Sequence, residues 1–191
     1  MIELRQAKKS DKDVQYLMSI HYSHPKGFVG RQLIYKVFDN EEFVGVIVGG
    51  SATLHLPGRN EFFGDKYYIN GIINNNFFHL IDNHGDKNLG TKVLAKWRKQ
   101  VVKDWEERYK DKVIGFESLV ELPRTGAMYK ADNWTEVGVT KGFTCRRVPG
   151  KETGVFIGGK RVWNTNPDEL KPKLVFCKMK QPNKIAIQKR D

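Results

Sequence analysis

Two glutamates, Glu117 and Glu121, interrupt an otherwise apolar run near the middle of the chain. Their apolar neighbours predict a strand inside a sheet, and the four-residue spacing places both carboxylates on one face of an extended chain. Burying an ionised carboxylate without a partner is costly, so each needs a cation, a metal ion or a proton beside it. The sequence leaves open whether they bind a metal or form an internal ion pair, for which Arg124 is a candidate.

A proton donor is predicted directly after this strand. Pro123 ends the strand because it cannot donate to the hydrogen-bond ladder, and the residues from Thr125 to Tyr129 favour a short helix. A phenol such as that of Tyr129 can give or return a proton once its surroundings shift its pKa from about 10. His21 and Tyr22 lie where the first predicted helix ends, so their side chains either reach a cleft or remain on the surface.

A candidate anion site precedes the longest predicted helix, which runs from about Leu89 to Tyr109. The backbone N–H groups of a first helical turn have no partner within the helix, and they therefore attract phosphates and other anions. Asn88, Gly90 and Thr91 occupy this turn.

The chain is strongly basic. Its 33 Lys and Arg residues outnumber its 22 Asp and Glu residues, for a net charge of +11. A positive field of this size concentrates polyanions, of which nucleic acid is the commonest in a cell, although a basic surface without a ligand is the alternative.

The length of 191 residues predicts one domain, which we place at residues 1–180, followed by a basic tail at residues 181–191. No run approaches the roughly 18 apolar residues of a membrane helix, and the N-terminus is polar, so we expect a cytoplasmic protein without a secretion signal. Cys145 and Cys177 are too far apart for a zinc-ribbon pattern and are expected to be buried thiols.

The predicted order is strand, helix, hairpin, strand, glycine-opened helix, buried strand, short helix and strand. This order resembles the α+β acyltransferase fold of the GNAT superfamily, a single domain with a mixed central sheet flanked by helices. In that family the glycine-opened helix binds the cofactor pyrophosphate and a tyrosine on the next short helix is the general acid. The resemblance places cofactor binding at Asn88, Gly90 and Thr91, in a shortened loop, and the acid at Tyr129.

A second resemblance rests on an ordered set of motifs between about residues 20 and 180. The set is His21-Tyr22-Ser23, Gly30-Arg31, Gly49-Gly50-Ser51-Ala52, Leu56-Pro57-Gly58-Arg59, residues 116–126, Asn133-Trp134 and residues 140–145. Together they resemble the phage Mom family of adenine-modifying proteins. The His-Tyr pair and the segment from the buried strand to Trp134 are similar also to phage-defence proteins of the Druantia type.

The Mom resemblance implies an enzyme that converts adenine N6 in double-stranded DNA to N6-carbamoylmethyladenine, so that phage DNA in the host cell escapes restriction. It implies a catalytic set and an iron site, with Fe(II) held by His21, Glu117 and Glu121. The implied catalytic residues are His21, Tyr22, Thr91, Glu121 and Tyr129. The implied phosphate contacts are Arg31, Arg59, Arg124, Lys141, Arg146 and Arg147.

Two alternatives belong to other classes. An ordinary GNAT N-acetyltransferase would bind acetyl-CoA and need no metal. A non-catalytic DNA-binding protein of the defence type would bind DNA in a salt-sensitive way and leave its nucleosides unaltered.

Overall fold

A computed structural model describes residues 1–23, 25, 27–81, 87–145, 156–157, 160–161, 163–164, 168 and 170–181. Arg146, Arg147 and all but the first residue of the predicted tail lie outside this described part. Among the described residues, no helix combines the length and hydrophobicity of a membrane-spanning segment.

Eleven strands are described. They are β1 (Ile2–Ala7), β2 (Gln32–Asp39), β3 (Glu42–Ser51), β4 (Ile72–Leu80), β5 (Gly115–Glu121), β6 (Thr135–Val139), β7 (Thr144–Cys145), β8 (Phe156–Ile157), β9 (Lys160–Arg161), β10 (Trp163–Asn164) and β11 (Lys173–Met179). Seven of them form one sheet in the order β1-β2-β3-β4-β5-β11-β6. Within this sheet only β4 and β5 pair in parallel, so the predicted mixed sheet is confirmed.

Four α-helices connect or flank these strands. They are α1 (Lys12–Ile20), α2 (Arg59–Phe63), α3 (Leu89–Tyr109) and α4 (Ala127–Ala131), and a short 3-10 turn covers Ile69–Gly71. The long helix predicted from the apolar stripe of residues 93–105 has the expected bounds. Helix α1 begins after Asp11, whose side chain accepts a hydrogen bond from the Asp13 N–H and so caps the first turn.

The helices cover the two faces of the sheet and create two layers of core. On one face, Val93, Trp97 and Val101 of α3 are fully buried in a cluster with residues of β2 to β5. On the other face, Val14 and Leu17 of α1 pack in a smaller cluster that includes residues of β2, β3 and β4. Phe116 and Val120, two positions of the alternating pattern of β5, belong to the first of these clusters.

The parallel pair at the centre of the sheet is short. Only Ile72, Ile73 and Asn74 of β4 pair with β5, opposite residues 115–117. Beyond this pairing, β4 continues as far as Leu80 and β5 as far as Glu121, but the two strands no longer pair with each other. The register of β4 against β3 also shifts here, because Gly49 pairs with Asn75 whereas Val48 pairs with Phe77. Strands β4 and β5 therefore separate in the middle of the sheet.

Candidate active site

The gap between β4 and β5 opens into a cleft of about 420 Å³, which we call the central cleft. Asn75 and Phe77 line it from β4, and Ser118 and Val120 line it from β5. Tyr129 of α4 lies among the lining residues and is itself buried. The separation of the two strands therefore creates a site with a tyrosine in its wall.

The Tyr129 hydroxyl is held as a hydrogen-bond donor. Asn75 donates from Nδ2 to the carbonyl oxygens of Val48 and Phe77, at 3.0 and 3.3 Å, which fixes its Oδ1 as an acceptor. The Tyr129 hydroxyl lies 2.7 Å from that Oδ1 and donates to it. Burial raises the pKa of the phenol above its ordinary value. Tyr129 is therefore protonated throughout the neutral range.

Helix α4 is fixed at both ends, and this fixes Tyr129. Gly126 precedes the helix in a left-handed conformation, and a Cβ at this position would lie 2.4 Å from the Phe176 ring. At the other end, Arg98 of α3 donates to both carboxylate oxygens of Asp132, at 3.0 and 2.7 Å. The Tyr129 ring also stacks on Phe176, with ring centroids 5.5 Å apart.

The end of α1 brings His21 and Tyr22 to the central cleft. The Ser23 N–H donates to His21 Nδ1 at 3.2 Å, so the neutral imidazole carries its hydrogen on Nε2. The Arg124 guanidinium lies 3.5 Å over the Tyr22 ring. Burial raises the pKa of the Tyr22 phenol, and the nearby positive charge of Arg124 opposes this effect. Of the predicted catalytic residues, His21, Tyr22 and Tyr129 thus share one cleft.

Thr91 lies in the first turn of α3, where its Oγ1 donates to the Asn88 carbonyl at 2.9 Å. It is not among the residues lining the central cleft. Gly90 joins this turn to the site, because a Cβ there would lie only 2.7 Å from Sδ of Met128, which does line the cleft. The predicted anion-binding turn therefore packs directly against the helix that carries Tyr129.

The buried carboxylate of Glu117 has an ion-pair partner, but this partner is Arg59 rather than Arg124. The two side chains are almost completely buried, with Arg59 Nη1 2.9 Å from Glu117 Oε2. Glu117 Oε1 accepts the Thr53 N–H at 2.7 Å. Arg59 donates further to the Thr53 and Leu54 carbonyls and to the Tyr67 hydroxyl. Its guanidinium is therefore enclosed and offers no surface to a DNA phosphate, contrary to expectation.

Glu121 lies in a second pocket, beside the central cleft. Its two carboxylate oxygens are 3.9 Å from the ammonium groups of Lys171 and Lys173. The expectation that His21, Glu117 and Glu121 hold Fe(II) is wrong. Glu117 is taken up by Arg59 and Thr53, and no group of three or more His, Cys, Asp or Glu side chains in the described part of the chain could hold a metal.

The remaining predicted phosphate contacts are dispersed. Arg31 pairs with Asp111 and lies over the rings of Trp105 and Tyr109, at 5.2 Å from each centroid. Lys141 lines the second pocket, whereas Arg124 lines the central cleft. Arg146 and Arg147 are not among the described residues.

Sequence reasoning missed the polar residues of the central cleft. Asn74 and Asn75 are almost fully buried, Ser118 donates to the Asn75 carbonyl at 2.9 Å, and Thr53 accepts from Asn74 at 3.1 Å. The signal was present, since three consecutive asparagines, at residues 74–76, interrupt a strand of otherwise apolar residues. Buried amides in such a run indicate a polar site, because each must find hydrogen-bond partners.

Comparison with known families identifies one match that covers most of the chain. The family model of the Druantia protein DruA matches residues 2–145. No curated protein is significantly similar in sequence.

Solved structures with the same fold are acetyltransferases. A Bacillus subtilis acetyltransferase in complex with CoA has a TM-score of 0.59 at 8% identity, over 95% of this chain and 100% of that one. A GNAT family acetyltransferase from Elizabethkingia anophelis, with acetyl-CoA bound, has a TM-score of 0.55 at 9% identity, over 93% and 97%. The ribosomal-protein-S18-alanine N-acetyltransferase from Escherichia coli has a TM-score of 0.55 at 9% identity, over 96% of this chain and 97% of that one. The predicted GNAT-like fold is confirmed.

The expectation of a phage Mom-type enzyme that forms N6-carbamoylmethyladenine is wrong, as are the anti-restriction role and the iron that came with it. The family match is to DruA instead. Several residues that suggested Mom serve the scaffold. Trp134 is buried, Asn133 has the positive φ of a tight turn, and Arg59 pairs with Glu117. Such residues report a shared fold and not a shared reaction.

Proposed function

The chain belongs to the family of the Druantia protein DruA, and from this starting point we propose that it is an acyl-CoA-dependent transferase that acts in a defence system. The donor occupies the central cleft, between the separated strands β4 and β5. The acceptor is an amine or hydroxyl group.

The observation that carries this proposal is the position of the Tyr129 hydroxyl. It lies 2.7 Å from Asn75 Oδ1, at the point where β4 and β5 part. A protonated phenol in the wall of a cleft is suited to general acid catalysis.

The residues of the cleft fit a CoA thioester. The separation of the two strands leaves room for an extended chain between them, and the cleft offers about 420 Å³. The 21-residue helix α3 begins next to α4, and its first-turn N–H groups can donate hydrogen bonds to the pyrophosphate of the same ligand. Two proteins of this fold were solved with acetyl-CoA or CoA bound, which supports this assignment.

Acyl-CoA, when bound, supplies an activated acyl group whose transfer to an amine or hydroxyl leaves a thiolate. The transfer forms a bond between the acyl carbon and the acceptor and breaks the thioester C–S bond. Tyr129 holds its proton towards Asn75 Oδ1 and can deliver it to the leaving thiolate by rotation about the phenolic C–O bond, and the proton that the acceptor loses restores the phenol. His21 lines the same cleft, and its Nδ1 accepts the Ser23 N–H. Tyr22, held by Arg124, covers the cleft from the α1 side.

The test is transfer of a labelled acyl group. The purified protein is incubated with radiolabelled acetyl-CoA and an extract of bacterial cells, and label in macromolecules and in small molecules is counted separately. We expect incorporation with the wild-type protein and a loss of about 100-fold or more with Tyr129→Phe, because general acid catalysis contributes on this scale. Tyr16→Phe, which removes an exposed hydroxyl on α1, is the matched control and should behave as wild type.

Equal incorporation with Tyr129→Phe would contradict the role of the phenol. An absence of label with folded wild-type protein would instead favour a protein of the same fold that binds without catalysing transfer.

A further inference from the structure

A second pocket of about 730 Å³ lies beside the central cleft. Its apolar lining includes Leu56, Pro57, Val139 and Phe143. The two sites adjoin, because Thr53, Leu119 and Lys173 line both of them. The proposed transfer reaction assigns no role to this pocket.

The pocket is positively charged. Lys141, Lys171 and Lys173 line it, and Glu121 is its one carboxylate among the described residues. Two of these ammonium groups lie 3.9 Å from the Glu121 carboxylate, which reduces but does not cancel their charge. The sign agrees with the net charge of +11 on the whole chain. The ligand that complements this rim is an anion.

The pocket also presents an aromatic face. Phe143 is 43% exposed although it is a large apolar residue, and the ammonium group of Lys141 lies 5.9 Å from its ring centroid. Val139 is also partly exposed, at 47%. A simple anion such as phosphate gains nothing from these apolar surfaces, whereas a flat aromatic group does.

We propose that the second pocket binds an unpaired nucleotide of a nucleic-acid strand, with its base stacked on Phe143 and its phosphates near Lys141 and Lys171. Proteins that bind single strands combine these two elements, a basic groove for the backbone and an aromatic platform for the base. A duplex is a poorer ligand because its bases are already stacked and paired. An acidic peptide would match the positive charge of the pocket. Unlike a nucleic-acid strand, however, it does not carry a planar ring beside each of its anionic groups.

The test measures equilibrium binding without any acyl donor, so its failure would leave the proposed transferase activity untouched. Fluorescence anisotropy is recorded with a labelled single-stranded oligonucleotide, the matched duplex and labelled poly-glutamate. We expect the single strand to bind most tightly. Phe143→Ala should weaken single-strand binding by about 5-fold to 100-fold, since stacking of a base contributes on this scale.

The lysines predict a separate signature. Lys141→Ala should lower the slope of log affinity against log salt concentration by about 0.7, the value for one phosphate contact with a single strand. Tyr16→Ala and Lys12→Ala, both exposed on α1 and outside the pocket, are the matched controls and should bind as wild type. Thermal unfolding of each variant verifies that it is folded.

The proposal is overturned if Phe143→Ala binds the single strand within about twofold of wild type. It is also overturned if duplex DNA or poly-glutamate binds as tightly as the single strand, since the pocket would then recognise charge alone.

Discussion

Three buried side chains of this protein have raised pKa values. Tyr129, Tyr35 and Cys177 have pKa values raised above the ordinary range because the surrounding core disfavours their ionised forms. Only Tyr129 among these three lines the central cleft. At the scale of single residues, the raised pKa of a buried side chain therefore indicates a function only when that side chain also lines a site.

The ion pair of Arg59 and Glu117 should be important for stability. Both side chains are almost completely buried, so removal of one charge leaves the other without a partner. We expect Glu117→Gln to lower the free energy of unfolding by about 3–5 kcal/mol. Urea denaturation provides the measurement. Glu121→Gln is the control, since its contacts of 3.9 Å with two partly exposed lysines should contribute less than about 1 kcal/mol.

If Glu117→Gln lowered the free energy of unfolding no more than Glu121→Gln does, the buried ion pair would not be required for folding. The double variant Glu117→Met with Arg59→Met provides a further check. It removes both charges together and should therefore recover part of the stability.

Cys177 predicts a pH dependence of stability. Burial raises the pKa of its thiol from 9.0 to about 12. Between these two values the unfolded chain has released a proton that the folded chain retains, so the free energy of unfolding falls as pH rises. Cys177→Ala lacks this contribution, and the stability difference between the variant and wild type should change progressively from pH 9.0 to about 12. Urea titrations at a series of pH values would detect it, whereas parallel curves would contradict it.

Residue types alone indicated some of the site. A tyrosine on the short helix after the buried strand and a His-Tyr pair at the end of α1 were recognised, and all three side chains line the central cleft. The partner of Glu117 was not, because Arg59 is 58 positions away in sequence. The iron hypothesis came from the resemblance to the Mom family, and Glu117 was included in it because an unpaired buried carboxylate requires a cation of some kind.

The elements of this fold were more accessible to prediction. Hydrophobic periodicity gave α3 its bounds, and the hairpin of β2 and β3 followed from two apolar runs around a polar turn. Periodicity carries no information about where two parallel strands stop pairing. The separation of β4 from β5 after Asn74, and hence the central cleft, could therefore not be predicted.

The placement of α4 predicts the effect of a change at Gly126. Its φ of 66° disfavours any side chain, and a Cβ would also lie 2.4 Å from the Phe176 ring. We expect Gly126→Ala to displace α4, to lower the unfolding free energy by about 2–4 kcal/mol and to reduce acyl transfer.

Gly30→Ala is the matched control for this change. Gly30 also has a positive φ, of 77°, but among the described residues a Cβ there would meet only the Ser51 side chain, at 3.2 Å from Oγ and 3.7 Å from Cβ. Gly30→Ala should lower the unfolding free energy by about 1–2 kcal/mol, which is the cost of a side chain at this positive φ alone. Equal losses for the two variants would show that the contact with Phe176 does not position α4.

At the scale of the whole molecule, fold and family carry different information. The fold is that of acetyltransferases, at identities of 8–9% for the structures compared above. The family match is to a Druantia protein and covers residues 2–145. Motif resemblance favoured the wrong family because several of the matched residues, among them Trp134, Asn133 and Arg59, serve the scaffold and do not identify a reaction. The excess of positive charge predicts an attraction for polyanions, but it does not by itself identify a ligand.

The central claim is that the cleft between β4 and β5 binds a CoA thioester. Isothermal titration calorimetry with CoA and acetyl-CoA tests it most directly, using wild type and a variant that fills the cleft. Ala127 is exposed at the start of α4 and lines the cleft, whereas Ala131 is exposed at the end of the same helix and does not. We expect wild type and Ala131→Trp to bind CoA alike, and Ala127→Trp to bind it at least about tenfold more weakly, a difference of about 1.4 kcal/mol. Folded wild-type protein that binds no CoA, or Ala127→Trp that binds it as tightly as Ala131→Trp, would contradict the claim.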